Sequence, residues 1–236
     1  VLMLGIMEHG DVSNTTTGPK LDWDGKTKPA DATQVYVTGT PGAVAQAITD
    51  ALQKGDVFID DDLTVNSTNA PGTVAPFAIP KGRTLYVTGD VNATSLTVNG
   101  TLMVGGDLTS TSANFSNVGV KGNWTVNATT TVNEGAVATV EGDVLVANGQ
   151  DLTVNGKLYA ANIAPAAAAA DFDLIVGTTG HVEVSGDVNV GANGTITVNG
   201  ANSLVVSGAV TCLTLTVGTG TDAGRVEAGS ITATTV

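Results

Sequence analysis

The stretch VEGDVLVANGQDLTVNG, from Val140 to Gly156, decides the fold because it recurs as VSGDVNVGANGTITVNG from Val184 to Gly200. Nine of the 17 aligned positions are identical, and the copies begin 44 residues apart. A third copy, VTGDVNATSLTVNG from Val87 to Gly100, keeps both ends and shortens the middle, so the ends are structural and the middle is a loop. A repeat of this kind indicates the architecture before any secondary structure is assigned.

The ends of the repeat recur in degenerate form along the chain. Copies of the second end lie at Leu63–Asn66 and Trp124–Asn127. Apolar and polar residues alternate within each end, which is typical of half-buried strands. Hairpins use similar turns, but identical strand-turn units in series favour parallel stacking, where each coil buries the apolar side of its neighbour. We therefore predict an all-β fold, a right-handed parallel β-helix (solenoid) of eight to ten coils.

Gly-Asp and Asn-Gly pairs interrupt the strands of this repeat. We expect their glycines to supply positive φ at sharp turns. We expect the aspartates to bond local backbone N–H groups, and a cation between coils would offset their like charge if they stack. These aspartates are Asp90, Asp107, Asp143 and Asp187.

The sequence TPGAVAQAITDALQKG, from Thr40 to Gly55, predicts a helix over 41–54. Thr40 suits the N-cap, Pro41 the first helical position and Gly55 the end. Apolar residues recur within this segment at helical spacing and form one face of the predicted helix. It consists of Val44, Ala47, Ile48, Ala51 and Leu52.

This helix, followed by coil repeats, resembles the pectate-lyase-like superfamily of right-handed parallel β-helices. Val44 to Ile59 resembles the capping helix and first strand, and the repeats from Leu63 to about Val236 resemble the coils. The resemblance implies that the helix covers the open end of the first coil. The superfamily includes polysaccharide lyases and hydrolases, tailspikes, adhesins and surface-layer components, so the resemblance does not choose a function.

Two units follow from this pattern: an extended N-terminal arm over 1–39, which either packs on its own solenoid or adds as an intersubunit strand to a neighbour, and a solenoid over 40–236. The start of the arm is strongly apolar, and the chain is strand-like to its end, as an assembling subunit requires. The predicted assembly residues are Val1, Leu2, Met3, Leu4, Ile6, Met7, Ile231 and Val236.

Composition excludes some partners. The formal net charge of -13 disfavours nucleic acid, which needs clustered Lys and Arg. No apolar run approaches the about 20 residues that span a bilayer. The chain begins at Val1 without Met, which suggests a processed, secreted product. Cys212, the one cysteine, is expected to be a buried thiol, with an intermolecular bridge as the alternative.

The acidic residues offer weak calcium sites and no catalytic set. Two histidines define no Ser-His-Asp arrangement, and we expect His181 to be surface decoration. Calcium is the one cofactor that these residues suggest, because it takes oxygen ligands. The candidate ligands are Asp60, Asp61, Asp62, Asp22 and Asp24.

Asn-x-Ser/Thr acceptor sites are frequent, and glycans attached there would face solvent outside the cell. Chance also produces several such sites in a chain rich in Asn, Ser and Thr. The sites are Asn14, Asn66, Asn92, Asn99, Asn114, Asn123, Asn127 and Asn193.

These observations favour an extracellular structural subunit, not an enzyme, that binds copies of itself in a cell-surface filament, sheath or surface layer. An adhesin or glycan-binding β-helix module is the alternative, favoured by a shallow groove with exposed aromatic side chains. A polysaccharide lyase or hydrolase requires carboxylates that converge on one face of the coils.

Overall fold

In a computed structural model the chain winds into a parallel β-solenoid of about 9 turns, as the repeat predicts. The structure describes residues 18–68, 70–111, 114–199, 203–218 and 224–235. The elements, in chain order, are β1 (Thr33–Gln34), α1 (Pro41–Lys54), β2 (Val57–Ile59), β3 (Leu63–Val65), β4 (Ala78–Ile79), β5 (Thr84–Val87), β6 (Val91–Ala93), β7 (Thr97–Val104), β8 (Leu108–Ser110), β9 (Asn114–Val120), β10 (Trp124–Val126), β11 (Thr130–Val132), β12 (Val137–Val140), β13 (Val144–Val146), β14 (Asp151–Val154), β15 (Lys157–Ala160), β16 (Ile163–Pro165), β17 (Asp173–Val176), β18 (His181–Val184), β19 (Val188–Asn189), β20 (Thr195–Val198), β21 (Ser203–Val217) and β22 (Arg225–Thr235).

Every strand pair in the described ranges is parallel, and the strands stack on three faces. Face 1 runs in the order β1, β2, β5, β7, β9, β12, β15, β18, β21 and β22. Face 2 runs through β3, β6, β8, β10, β13, β16, β19, β21 and β22. Face 3 runs through β4, β7, β9, β11, β14, β17, β20, β21 and β22. The right-handed winding stays a prediction, in keeping with the handedness of parallel crossovers.

Coil length varies because the loops between the faces differ in length. Equivalent corner residues are 16 apart between Asp107 and Asn123 and 28 apart between Asp62 and Asp90. The repeat from Val140 to Val184 spans two coils, since β12 pairs with β15 and β15 with β18. Loops of variable length therefore leave the stacked faces in register, but they make the repeat period irregular in the sequence.

Inward-pointing side chains form continuous apolar columns. The column inside face 2 shows this best: its first eight members are at most 1% exposed, and its ninth is 47% exposed. Complete burial of such a side chain is worth about 1.5–3 kcal/mol, which no single coil provides alone. In order the members are Leu63, Val91, Leu108, Trp124, Val144, Ile163, Val188, Val210 and Ile231.

The helix α1 covers the apolar end of the first coils, as predicted. Thr40 stands at the N-cap with extended backbone but makes no side-chain capping bond, and the Gly55 N–H donates to Ala51 O. Its buried side chains belong to the same core as the coils. They are Val44, Ala45, Ile48 and Leu52, so Ala45 lies inside and the predicted Ala47 lies outside. With 14 residues α1 is too short to cross a bilayer, and no helix in the described ranges is long and apolar enough to do so.

Candidate functional site

A row of Asp and Asn side chains, which we call the Asx ladder, links successive coils at the corner between faces 1 and 2. Each Oδ1 atom accepts a hydrogen bond from the residue at the same corner of the next coil, over 2.6 to 2.9 Å. The donor is a backbone N–H at every step except Asp143, which accepts from Nδ2 of Asn162. The acceptors are Asp62, Asp90, Asp107, Asn123, Asp143, Asn162 and Asp187, and Ala209 is the last donor.

The expectation that these aspartates bond local N–H groups is therefore wrong. Their Oδ1 atoms accept from the next coil, 16 to 22 residues further along the chain. Backbone hydrogen bonds also join the coils at this corner, as from the Gly106 N–H to Gly89 O at 3.1 Å, and the ladder adds side-chain contacts to them.

Glycine precedes every ladder residue except Asp62 and Asn162, and its role differs from the predicted one. A Cβ atom at Gly106 would lie 2.1 Å from Oδ1 of Asp90, and one at Gly122 would lie 2.1 Å from Oδ1 of Asp107. Neither glycine has positive φ. Glycine is needed here because the side chain of the preceding coil fills the space that its own side chain would take.

The predicted calcium ligands Asp60, Asp61 and Asp62 lie exposed at the first corner, each with a partner from the protein. Oδ1 of Asp60 accepts from the Thr88 hydroxyl at 3.0 Å, and Oδ1 of Asp61 accepts the Asp62 N–H at 2.9 Å. Asp62 is the first rung of the ladder. Over the described ranges no three His, Cys, Asp or Glu side chains form a group that could hold a metal ion, so the calcium prediction gains no geometric support.

The other two predicted ligands, Asp22 and Asp24, are exposed in the N-terminal segment. Oδ1 of Asp24 accepts the N–H groups of Lys26 and Thr27 at 2.9 and 2.7 Å. Hydrogen bonds from Thr27, first from its hydroxyl and then from its N–H, hold the pKa of Asp24 at about 2. This carboxylate stabilises a turn.

Residues 18–32, which we call the strap, lie along the outside of the coils. The Leu21 N–H donates to Oε1 of Glu141 at 2.7 Å, and Nζ of Lys121 approaches the same oxygen at 2.7 Å. At its start the strap touches a later coil, where a Cβ at Gly18 would lie 3.4 Å from Oγ of Ser185. The described part of the predicted arm thus packs on its own solenoid, and β1 adds a strand to face 1.

Between the strap and face 1 lies a shallow groove of about 560 Å³, lined in part by Trp23, Tyr86 and Met103. The Trp23 and Tyr86 rings meet edge to face, with centroids 5.3 Å apart. Trp23 is 8% exposed and its Nε1–H donates to Thr27 O at 2.8 Å. Burial, followed by the nearby charge of Asp56, raises the pKa of Tyr86. The Trp23 side chain therefore serves mainly to hold the strap against face 1.

Sequence reasoning missed a Ser-His-Glu contact on the outer side of face 1. Nδ1 of His181 lies 2.6 Å from Oγ of Ser203, and Nε2 lies 3.7 Å from Oε2 of Glu183. The second distance is beyond hydrogen-bonding range, so the carboxylate does not orient the ring as a triad requires. Ser203 and His181 are 22 residues apart, which is the length of one coil here. Their contact can therefore be found only once the coil length is known.

The last coil, β22, presents an uncovered edge. In the described part of the chain β22 pairs with β21 and with no other strand. Ile231 is 47% exposed, whereas Val210 beneath it is buried. The neighbouring inward residues Val226, Ala228 and Ala233 are only half-buried. Of the other predicted assembly residues, Val1, Leu2, Met3, Leu4, Ile6, Met7 and Val236 lie outside the described residues.

The predicted glycosylation sites differ in accessibility. Asn66 is half-buried and accepts the Thr68 N–H, and Asn123 is a rung of the Asx ladder. Asn14 and the side chain of Asn114 lie outside the described residues. The exposed sites are Asn92, Asn99, Asn127 and Asn193.

Cys212 is a free thiol with 5% exposure, as predicted, and burial raises its pKa. The Cys212 side chain points into the coil, next to β22. A buried, protonated thiol is a poor nucleophile.

The fold and these contacts define a parallel β-solenoid protein. No protein-family model, curated protein or solved structure matches the chain. The solenoid is confirmed, whereas membership of the pectate-lyase-like superfamily stays an expectation from resemblance.

Proposed function

We propose that the chain is an extracellular structural subunit that assembles with copies of itself into a cell-surface filament, sheath or surface layer. The uncovered edge of β22 carries the proposal. Among the described strands β22 pairs with β21 alone, and a strand edge of this kind beside an exposed Ile231 is a template for another strand. The proposal assigns no reaction to the chain.

The two ends of the solenoid differ in a way that fits directed assembly. The first coils are covered by α1, whose outer residues Gln46, Asp50 and Gln53 are exposed and polar. The β22 end instead offers apolar side chains. The apolar segment at residues 1–7 of a neighbouring copy is the proposed partner, added by β-augmentation. A segment of one copy on the edge of another is a heterologous contact, which propagates into open chains.

A charge on the edge tests the proposal. Ile231→Lys is expected to abolish assemblies in negative-stain microscopy and to leave separate rods, because a buried lysine opposes strand addition. Thr232→Lys is the matched control, since this neighbouring residue is exposed and points outward from the same strand.

Loss of assemblies in Ile231→Lys and their retention in Thr232→Lys would support the edge contact. Wild-type chain that stays as separate rods at high concentration would contradict assembly. Equal assembly by both variants would place the contact elsewhere.

Glycan binding is the second candidate function, favoured by the groove beside the strap. Hydroxyl groups of Thr84 and Thr101 lie in the same groove as Tyr86 and the edge of Trp23. Aromatic faces with nearby hydroxyl and carboxylate groups suit sugars. Titration of the wild type and of Tyr86→Ala with oligosaccharides, followed by tryptophan fluorescence, tests this: saturable change in the wild type alone would support it.

A further inference from the structure

We infer that the face 1 part of β22, residues 225–228, pairs with β1 of a second copy, so that face 1 continues from one subunit into the next. The inference rests on the proposed function, because it names the strand that receives this part of the edge in the assembly. The edge around Ile231 is left to the segment proposed above. Three features of the described residues carry the inference: the two ends of face 1, the backbone direction of its terminal strands, and the side chains on each.

Face 1 has a terminal strand at each end of the solenoid. Among the described strands β1 pairs with β2 alone, and β22 pairs with β21 alone. Exposed apolar side chains mark both ends: Tyr36, two residues beyond β1, is 70% exposed, and Ile231 of β22 is 47% exposed. Parallel strands normally have neighbours on both sides, so each end of face 1 offers a place for a further strand.

The backbone of β1 is directed so that it can receive a strand. The N–H groups of Thr33 and Val35 donate to Asp56 O and Phe58 O of the next coil, at 2.8 and 2.9 Å. Successive residues of a parallel strand direct their backbone groups to opposite sides. The N–H and C=O groups of Gln34 therefore face away from β2, toward the open side of the sheet.

The backbone of β22 has the complementary direction. On face 1 the outward residues bond the preceding coil, as the N–H groups of His181 and Ser185 do at 2.8 and 3.1 Å. This register continues through β21 into β22. The inward residues Val226 and Ala228 therefore direct their backbone groups beyond β22. A copy placed with Thr33 beside Val226 extends the parallel ladder with the same direction and the same register.

The inward side chains of the two edges fit this register. Val226 and Ala228 are half-buried and pack against the core at the β22 end. At the β1 end Val35 is half-buried against the core, and Thr33 lies in the same inward row as Val57. Pairing places Val226 beside Thr33 and Ala228 beside Val35. The inward column of face 1 then continues across the junction and buries apolar surface that each end leaves partly exposed.

The outward side chains meet groups of suitable polarity. The same register places Glu227 beside Gln34, whose amide N–H groups can donate to the carboxylate. It also places Arg225, whose side chain is 70% exposed, beside Ala32 and near the exposed Asp31. A guanidinium at the β22 end thus approaches a carboxylate at the β1 end, which favours contact between unlike ends over contact between like ends.

The connection between β1 and β2 limits the junction to face 1. The helix α1 forms this connection, so the first coil has a strand on face 1 and none on faces 2 and 3. Pairing of two different edges is a heterologous contact, which gives an open chain of subunits when it repeats. Because the pairing is parallel, all subunits point the same way along that chain.

Oxidative cross-linking of the assembled chain tests the junction. In the variant Gln34→Cys/Glu227→Cys, made in a Cys212→Ala background, the register places the two Cα atoms about 5 Å apart between copies, within the range of a disulfide. In one chain the same residues lie at opposite ends of the solenoid. We expect a ladder of covalent dimers, trimers and longer species in non-reducing electrophoresis.

The matched control is Gln34→Cys/Glu183→Cys in the same background. Glu183 lies in the same outward row as Glu227, two coils inside the stack, and is expected to give no ladder. Equal ladders from both variants, or assemblies visible in microscopy without a covalent ladder, would overturn the inference, and the second result would leave the proposed function standing. A wild type that forms no assemblies at all would refute the proposed function together with the junction.

A proline on the β1 edge provides a second test that needs no cysteine. The Gln34 N–H faces away from β2, so Gln34→Pro removes a donor from the junction and leaves the bonds between β1 and β2 in place. We expect Gln34→Pro to unfold thermally like the wild type and to sediment as separate subunits. Gln34→Ala, which keeps the N–H, is expected to assemble. Equal assembly of the two variants would contradict the pairing.

Discussion

The coils that carry the Asx ladder and the last two coils reach the same winding by different means. From β3 to β19 each corner between faces 1 and 2 has a cross-coil side-chain bond, and the strands there are short. The ladder ends at Ala209, which lies within β21, and β21 and β22 run for 15 and 11 residues around the corners. Side-chain bonds thus add to the backbone bonds at the corner in one region, whereas in the other the β21–β22 pairing passes the corner with a register shift between Val206 and Ala209.

The difference also separates fully buried from partly exposed parts of the core. Inward residues are buried throughout the ladder region, and partly exposed ones gather in β22. The surface for strand addition therefore lies in the region with the fewest side-chain hydrogen bonds between coils, so adding a strand there would disturb few of them. The following four predictions test this comparison.

Glycine substitution at the corner is expected to have the largest effect. Gly106→Ala forces a Cβ against Oδ1 of Asp90 and nearby backbone, and should lower the free energy of unfolding by about 3 kcal/mol. Gly229→Ala, at the same corner of β22, has its nearest atom at 2.9 Å and should cost less than about 1 kcal/mol because the last coil can shift. Urea unfolding measures both, and equal costs would remove the distinction between the regions.

Loss of one side chain of the Asx ladder is expected to have the second-largest effect on the free energy of unfolding. Asp90→Ala deprives the Asp107 N–H of its acceptor and should cost about 1–2 kcal/mol. Asp90→Asn keeps an acceptor and removes one of three successive carboxylates, so its stability should equal or exceed that of the wild type. Thermal unfolding at two salt concentrations checks this, and similar losses in both variants would mean that charge rather than the bond matters.

Extension of the ladder is expected to have a smaller, stabilising effect. Ala209→Asn places an acceptor below Ser230, and Gly229 already leaves the space that a rung requires. The gain should be about 0.5–1 kcal/mol, seen as slower amide exchange at 230–233. No change in exchange would show that the last two coils do not accept this corner geometry.

Charge stacking on face 3 is expected to have the smallest effect. Burial, followed by the charge of Asp173 on the next coil, raises the pKa of Asp151. The folded chain therefore favours the protonated acid, and the destabilisation grows as the pH rises from the ordinary value of 3.8 through the folded pKa. Asp151→Asn should raise stability by less than about 1 kcal/mol at pH 7 and not at pH 3. A gain of equal size at both pH values would exclude a charge effect.

Some sequence interpretations failed because one short pattern suits several positions in a coil. The copies at Leu63–Asn66 and Trp124–Asn127 resemble the segment at Leu152–Asn155, yet β3 and β10 lie on face 2 and β14 lies on face 3. Alternation establishes that a strand has one inward side. It does not identify the face, because all three faces present the same apolar interior.

The sequence alone determined the parallel solenoid, its approximate number of coils, the capping helix and the burial of Cys212, because periodicity and composition are local properties. Only the tertiary structure decided which residues meet across coils: the Asx ladder over 16 to 28 residues, Ser203 beside His181, and Leu21 on Glu141 across 120 residues. Loops of unequal length set these contacts, and no local pattern encodes which loop brings two particular residues together.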